Sequence, residues 1–125
     1  MIVWRWSFLK PNKFLNMLGL AKRAGKIAVG TPLVTGAVRS KNALLVLLTT
    51  DAAANAVKRI TDSCNYHQVR LINIPYSKRE LSTAIGSSGE VAAIAILDHN
   101  FTKASLQLIE TDKTDADNMN PQEVQ

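Results

Sequence analysis

The most reactive side chains in this chain are one cysteine and two histidines, and their spacing argues against catalysis and metal binding. Cys64 and His67 form a C-x-x-H pair, but no second pair follows, and structural zinc generally takes four protein ligands. His99 follows Asp98, and no serine lies in a G-x-S-x-G elbow that would mark a nucleophile. We expect both histidines to be solvated or hydrogen-bonded.

The glycines give no nucleotide-binding fingerprint. Gly25 and Lys26 are followed by Ile27 rather than Ser or Thr, and the upstream glycine spacing of a P-loop is missing. The sequence therefore predicts a protein that is not an enzyme, with no catalytic residues, no metal and no cofactor.

The distribution of charge is a stronger signal. The first acidic residue is Asp51, and eight basic residues precede it: Arg5, Lys10, Lys13, Lys22, Arg23, Lys26, Arg39 and Lys41. From Glu110 onward the sign reverses, since Lys113 is the one basic residue there among the acids Glu110, Asp112, Asp115, Asp117 and Glu123. A basic half attracts polyanions, usually phosphate backbones, but charge alone does not choose among RNA, DNA and an anionic membrane. The helix dipole also stabilises basic residues at a helix C-terminus. This effect does not explain a run of fifty residues without an acid.

Two glycine-containing loops suggest where a polyanion would bind. Gly30 and Thr31 lie between a predicted strand and a predicted helix, where free backbone N–H groups face a phosphate or a base edge. The loop Gly86–Gly89 leads into another strand and forms either a phosphate-binding nest or a tight connection. Side by side, with Lys26 and Arg39 flanking them, the two loops would grip an irregular RNA.

Five helical patterns alternate with four short strand patterns. The apolar runs Leu44–Leu48 and Val91–Leu97 predict strands buried on both faces, which implies helices on both sides of the sheet. Strands separated by helices of about ten to fifteen residues predict an α/β/α sandwich. The helices are expected at 12–24, from 31, at 52–65, from 78 and at 100–110, and the other strands at 27–29 and 69–74.

Local capping signals mark several of these boundaries. Thr31 is expected to be an N-cap, with Pro32 at the first helical position. Thr50 or Asp51 is expected to cap the third helix, and the segment Ser77–Glu80 fits a capping box.

The length of 125 residues predicts one domain, spanning 12–110. Residues 1–11 are expected to be an N-terminal extension, and residues 111–125, which lack a periodic apolar set, an acidic disordered tail. No apolar run reaches the roughly 20 residues that cross a bilayer, and the start of the chain lacks a signal-peptide pattern. With one cysteine, the chain fits a reducing compartment, so we expect a cytoplasmic protein without a membrane partner.

Five segments, in their order and spacing, resemble one known family. They are LGLAKRAGKIAVG, TPLVTGAVRS, ALLVLLTTDA, ELSTAIG and VAAIAIL, within residues 12–110. The chain is similar to the ribosomal L7Ae/L30e family of kink-turn RNA-binding proteins, and most of all to its bacterial YlxQ-type members. The resemblance implies a three-layer α/β/α sandwich on a mixed four-stranded sheet, with no cofactor and no catalysis.

The resemblance also implies a binding mode. The strand–helix junction at 30–39 would grip the sheared G·A pairs of a kink-turn, and the loop at 85–91 would pack against a flipped-out nucleotide. Together with the basic residues of the first half, these two segments give the expected RNA-binding residues: Lys22, Arg23, Lys26, Gly30, Thr31, Pro32, Gly36, Arg39, Lys41, Gly86, Ser87, Ser88 and Gly89.

At the junction, this chain departs from the family pattern G-x-N-E-x-x-K. Pro32 occupies the Asn position, Leu33 the Glu position and Gly36 the Lys position. Pro32 has no N–H to donate, and the loss of the Lys removes a base-reaching cation. We therefore expect weaker kink-turn discrimination, with general RNA affinity retained through the basic residues.

Two functions follow as hypotheses. The first is a non-enzymatic RNA-binding protein of the ribosome or translation machinery, whose partners are structured RNA, ribosomal or kink-turn-containing, and ribosome or translation factors, with no DNA expected. The alternative is a protein-docking module of the same fold without specific RNA readout, which the apolar Pro32 and Leu33 favour. Salt-dependent binding, seen as a shift in the mobility of a folded RNA, would separate the two hypotheses.

Overall fold

The computed structural model describes residues 13–119 of the chain, with side chains up to Ile109. The expected extension at 1–11 lies outside the described residues, as do residues 120–125. The helices are α1 Lys13–Arg23, α2 Thr31–Arg39, α3 Ala54–His67, α4 Lys78–Ile85 and α5 His99–Met119. The strands are β1 Ile27–Val29, β2 Leu45–Leu48, β3 Leu71–Asn73 and β4 Ala93–Ile96.

The four strands form one mixed sheet in the order β1-β4-β2-β3. Strand β4 is antiparallel to both β1 and β2, whereas β2 and β3 are parallel. The predicted mixed four-stranded sheet is therefore confirmed. Because β4 alone runs in the opposite direction, β1, β2 and β3 end where β4 begins. We name the end of the sheet where β1, β2 and β3 terminate the junction end. The opposite end, where these three strands begin, is the basic end.

The sheet separates two apolar cores, because alternate residues of its central strands point to opposite faces. On one face the core contains Phe14, Leu15, Met17, Leu18, Leu45, Leu47, Ile74, Leu81, Ile85, Val91, Ile94 and Ile96. The other core contains Val34, Val38, Ala43, Val46, Leu48, Ile60, Cys64, Ala93 and Ala95. Helices α1, α4 and α5 cover the first core, and α2 and α3 cover the second, so the structure is the expected α/β/α sandwich.

Two helix starts differ from the expectation. The first helical residue of α2 is Thr31 rather than Pro32, so Gly30 is the N-cap, and it makes no side-chain capping hydrogen bond. Helix α3 begins after Ala53, without a side-chain cap. Asp51 does not cap α3, because its Oδ1 accepts a hydrogen bond from the backbone N–H of Lys78 at 2.8 Å.

The capping box of α4 follows the sequence prediction. Ser77 accepts from the N–H of Glu80 at 3.1 Å, and the Glu80 carboxylate accepts from the N–H of Ser77 at 2.8 Å. This reciprocal pair satisfies two N–H groups that a helix start would otherwise leave without acceptors.

The last helix is longer than expected. Helix α5 ends at Met119 rather than at Glu110, so residues 111–119 are helical where the sequence predicted disorder. No glycine or proline interrupts the segment before Pro121, and proline disfavours helix at the residue that precedes it. Among the described helices, none is both long enough and apolar enough to span a bilayer.

Candidate nucleic-acid interface

The junction between β1 and α2 is held against the start of β4 by one backbone hydrogen bond. Gly30 has φ 94° and ψ 151°, and its N–H donates to the carbonyl oxygen of Ala93 at 3.1 Å. A positive φ of this size strains any residue with a Cβ, so glycine suits the position. The bond places the junction beside the segment that connects the loop Gly86–Gly89 to β4. Both predicted loops therefore lie at the junction end.

The Gly30 N–H is not free, contrary to the expectation that it would face a ligand. Its hydrogen bond to Ala93 occupies it, and Pro32 has no N–H. The backbone N–H groups of Thr31 and Leu33 remain available to a ligand, because they have no acceptor among the described residues. These two N–H groups lie at the N-terminus of α2, where the helix carries a partial positive charge.

The first turn of α2 presents an apolar surface. Pro32 is exposed, and 63% of Leu33 is accessible. Thr35, by contrast, is buried, and its hydroxyl donates to the carbonyl oxygens of Thr31 at 3.0 Å or Pro32 at 3.1 Å. A Cβ added at Gly36 would meet no atom within 4 Å, so this helix position has room for a side chain.

A buried serine, Ser82, holds the loop Gly86–Gly89 in place through hydrogen bonds. The Ser82 hydroxyl lies 2.7 Å from the carbonyl oxygen of Gly89 and 3.2 Å from that of Ser87. The Ser87 hydroxyl lies 3.2 Å from the same Gly89 oxygen, and Gly86 closes α4 in the left-handed conformation with φ 73°. The loop thus has a defined shape in which Ser88 is exposed.

Ser82 was not predicted from the sequence. A signal for it exists, because Ser82 follows Leu81 on the side of α4 that faces the core and lies within seven residues of the loop that it fixes. A polar residue on a buried helix face needs a hydrogen-bond partner, and the nearby carbonyl oxygens supply it.

The basic residues do not flank the junction. Lys22 and Arg23 end α1, Arg39 ends α2, and Lys26 precedes β1, so all of them lie at the basic end. Lys41 lies there as well, just before β2. The expected single face is therefore divided into two sites at opposite ends of the sheet, because the strand directions separate residues that are close in sequence.

The junction end carries charge of both signs. Lys78 forms an ion pair with Glu90, with the nitrogen 3.7 Å from the carboxylate. Asp51 and Glu80 each accept backbone N–H groups at the start of α4. Glu90 follows Gly89 directly and pairs with Lys78, so negative charge also borders the loop Gly86–Gly89.

The cysteine and the histidines do not form a site. Cys64 is buried, and that burial raises the pKa of its thiol, which keeps the thiol neutral. The His67 ring lies edge-on to Tyr66, with the ring centres 4.8 Å apart. No cluster of three or more His, Cys, Asp or Glu side chains that would hold a metal ion occurs within the described part of the chain.

Comparisons with known proteins agree on one family. Residues 12–105 match the model of the Ribosomal protein L7Ae/L30e/S12e/Gadd45 family. The RNA-binding protein YlxQ of Bacillus subtilis (strain 168) is 40% identical over 101 residues, which cover 78% of this chain and 96% of that protein. The RNA-binding protein YlxQ of Enterococcus faecium is 34% identical over 99 residues, which cover 79% of this chain and 93% of that protein.

Solved structures show the same fold. A protein of unknown function from Bacillus halodurans superimposes with a TM-score of 0.71 at 32% identity, over 78% of this chain and 97% of that one. The Giardia lamblia 15.5kD RNA binding protein superimposes with a TM-score of 0.62 over 78% of this chain and 84% of that one. Its identity of 21% makes it a comparison of fold alone.

Proposed function

Because the chain belongs to the Ribosomal protein L7Ae/L30e/S12e/Gadd45 family, we propose that it is a non-enzymatic protein that binds structured RNA at the junction end. Two relatives at 40% and 34% identity are named RNA-binding proteins. One structural observation supports the proposal: the bond between the Gly30 N–H and the Ala93 oxygen joins the strand–helix junction to the start of β4, into which the loop Gly86–Gly89 leads. A single RNA segment then touches both.

The geometry supports contact with the RNA backbone at this end. Gly30 has no side chain, and open space surrounds the position of its missing Cβ, so a nucleotide approaches the backbone closely. The N–H groups of Thr31 and Leu33 supply two donors for a phosphate or a base edge. Ser88, exposed in the second loop, adds a hydroxyl that donates to RNA oxygens.

The finer proposal is that the RNA contains a kink-turn or a similar irregular motif, and that it belongs to the ribosome or the translation machinery. Irregular RNA offers unstacked bases and unusual pairs, which a small loop edge reads, whereas regular duplexes show mainly their backbone and 2′-hydroxyl groups. We place this role in the cytoplasm, which the single free thiol of Cys64 supports. We expect no role for DNA.

A binding titration tests the proposal with two RNAs: a kink-turn and the same RNA without its G·A pairs. We expect the intact kink-turn to bind more tightly. Ser88→Glu should weaken that binding, because it places a negative charge in the loop, whereas Gln107→Glu makes the same charge change at an exposed position of α5. Equal effects of the two substitutions, or equal binding of the two RNAs, would contradict specific readout at this end.

A second function, protein docking, is favoured by one observation. The exposed Pro32 and Leu33 form an apolar surface at the very start of α2, where the family pattern has polar residues. Leu33→Asn separates the two functions, because it removes apolar surface without adding charge. Docking predicts that this substitution abolishes capture of a protein partner, whereas RNA binding predicts that affinity for the kink-turn is kept or increased.

A further inference from the structure

Three helices end at the basic end of the sheet, and each brings cations to it. Lys22 and Arg23 close α1, and the chain then turns, with the N–H of Lys26 donating to the oxygen of Ala21 at 2.9 Å. Arg39 closes α2, and Lys41 follows it. Helix α3 ends at His67, and Arg70 comes just before β3. Arg70 lies outside the basic N-terminal half, so the sequence alone did not group it with the others.

The hydrogen-bond register fixes how these residues are arranged across the sheet. The oxygen of Lys26 accepts from the N–H of Leu97 at 2.9 Å, and the oxygen of Arg70 accepts from the N–H of Val46 at 2.9 Å. Lys26 thus marks the β1 side of this end and Arg70 the β3 side. Three strand spacings separate the two sides, which is about 14 Å.

Within residues 13–109, no ion pair neutralises the cations at this end. Lys22, Arg23, Lys26, Arg39, Lys41 and Arg70 are all exposed. Among the described residues the ion pairs are Lys58–Asp62 and Lys78–Glu90, and neither involves a residue of this group. Asp98 follows β4 here, but its carboxylate accepts the N–H of Phe101 at 3.0 Å at the start of α5. Among the described residues, Asp98 is therefore the one acid beside these six cations.

Helix stabilisation accounts for only part of this charge. A cation in the last turn of a helix is stabilised by the helix dipole, and the effect falls off beyond that turn. Lys22, Arg23 and Arg39 occupy last turns. Lys26, Lys41 and Arg70 lie outside the helices, so the dipole does not explain them.

Polar groups at the same end fit a nucleic-acid backbone. Tyr66, in the last turn of α3, is 82% accessible and presents a hydroxyl close in sequence to Arg70. Arg, Lys and Tyr side chains are common donors to phosphate and sugar oxygens in protein–nucleic acid complexes. In the part of the chain that the structure describes, no glycine-rich loop that would read bases accompanies them, so the chemistry suits a regular backbone.

We propose that the basic end is a second RNA-binding surface, which holds the phosphate backbone of an RNA duplex without sequence preference. It rests on the proposed function only in taking RNA as the polyanion. Four residue steps along β1 separate Lys26 from Gly30, about 13 Å, so one phosphate does not reach both ends. The chain then contacts two separate stretches of RNA and holds them together.

The test uses the full chain, a kink-turn RNA with short arms, and an uninterrupted labelled RNA duplex. The double variant Lys26→Gln/Arg70→Gln removes two charges from the basic end. Lys58→Gln/Arg59→Gln removes two charges from exposed positions in the middle of α3 and is the matched control. The negative slope of log affinity for the duplex against log salt should become shallower by about 2 in the first variant, one for each lost phosphate contact. It should stay unchanged in the second variant.

A capture experiment shows whether the two surfaces are separate. Protein saturated with the kink-turn RNA should still bind the labelled duplex, and Lys26→Gln/Arg70→Gln should lose this capture while keeping its melting temperature. Failure of the saturated protein to capture the duplex would overturn the second surface, as would equal losses in both variants. If polyglutamate displaced the labelled duplex as effectively as unlabelled duplex does, the assignment to RNA would be overturned.

The outcomes also distinguish this inference from the proposed function. If the kink-turn and its G·A-deficient form bind equally, the specific role of the junction end fails. A salt slope on the duplex that depends on Lys26 and Arg70 would still establish the basic end as an RNA-binding surface.

Discussion

Gly19 of α1 faces Ala84 of α4 so closely that a Cβ at position 19 would lie 2.8 Å from the carbonyl oxygen of Ala84. Backbone atoms on both sides make this contact, so no side chain is available to move aside. The two helices therefore pack at a distance that only glycine allows at this position. Since the loop Gly86–Gly89 begins directly after α4, this contact also sets the position of the loop.

We predict that Gly19→Ala destabilises the protein. Ala gains about 1 kcal/mol over Gly in a helix interior, but inserting a methyl group into a filled space costs about 1–3 kcal/mol. Gly36→Ala is the matched control, because its Cβ meets no atom within 4 Å and its φ is not positive. Thermal unfolding should show a lower melting temperature for the first variant and a higher one for the second. A rise in both would mean that α1 and α4 separate without cost.

We predict that Gly36→Lys increases discrimination in favour of a kink-turn. A lysine at this position of α2 stands where the family pattern has its base-contacting Lys, and charge-assisted contacts of this kind contribute roughly 1–3 kcal/mol. Titration of the intact kink-turn and of the RNA without G·A pairs measures the change. A gain shared by both RNAs would mean added charge alone, and no gain in a folded protein would show that this junction does not read RNA.

We predict that Ser82→Ala loosens the loop Gly86–Gly89 and weakens RNA binding. The substitution removes the hydroxyl that lies 2.7 Å from the Gly89 oxygen, and the loss of one such hydrogen bond costs about 0.5–1.5 kcal/mol. Thr83→Ala is the control, because Thr83 is the exposed next residue of the same helix. Hydrogen exchange of the loop amides should be faster in the first variant only. Unchanged exchange together with unchanged affinity would show that the loop holds its shape without Ser82.

We predict that a chain ending at Glu110 keeps the fold. Among the α5 side chains that the structure describes, the apolar ones packed against the core are Phe101, Ala104, Leu106, Leu108 and Ile109, and all of them remain. The melting temperature should stay within a few degrees, given that about 1 kcal/mol corresponds to 4–8 °C in a domain of this size. A much larger drop would show that residues 111–125 contribute packing. Because the removed segment is acidic, RNA affinity at low salt should increase.

The parts of the fold that the sequence predicted are those set by local pattern. The apolar run around Leu45–Leu48 predicted a strand covered on both faces, and the Ser77–Glu80 spacing predicted a capping box. Both signals depend on residues within a few positions of one another. The end of α5 was missed because its polar composition looks disordered, although no helix-breaking residue stops it before Pro121.

The arrangement of the candidate site was harder to predict, because it depends on strand direction. Lys26 and Gly30 are four residues apart and were grouped together, yet β1 carries them to opposite ends of the sheet. The partner of the Gly30 N–H is Ala93, which is far away in sequence. Neither fact follows from a local pattern, since each requires the pairing of β1 with β4.

The position of β4 between β1 and β2 has a consequence for biosynthesis. Among the described strands, β1 pairs with β4 alone, and β4 comes last in the chain. While the chain is being made, β2 and β3 are able to pair early, but β1 has no neighbour until residues 93–96 leave the ribosome. Such long-range pairing forms late and slowly. A nascent chain therefore lacks the aligned loops of the junction end until residues 93–96 have left the ribosome, so the RNA binding that we propose for this end has to wait for β4.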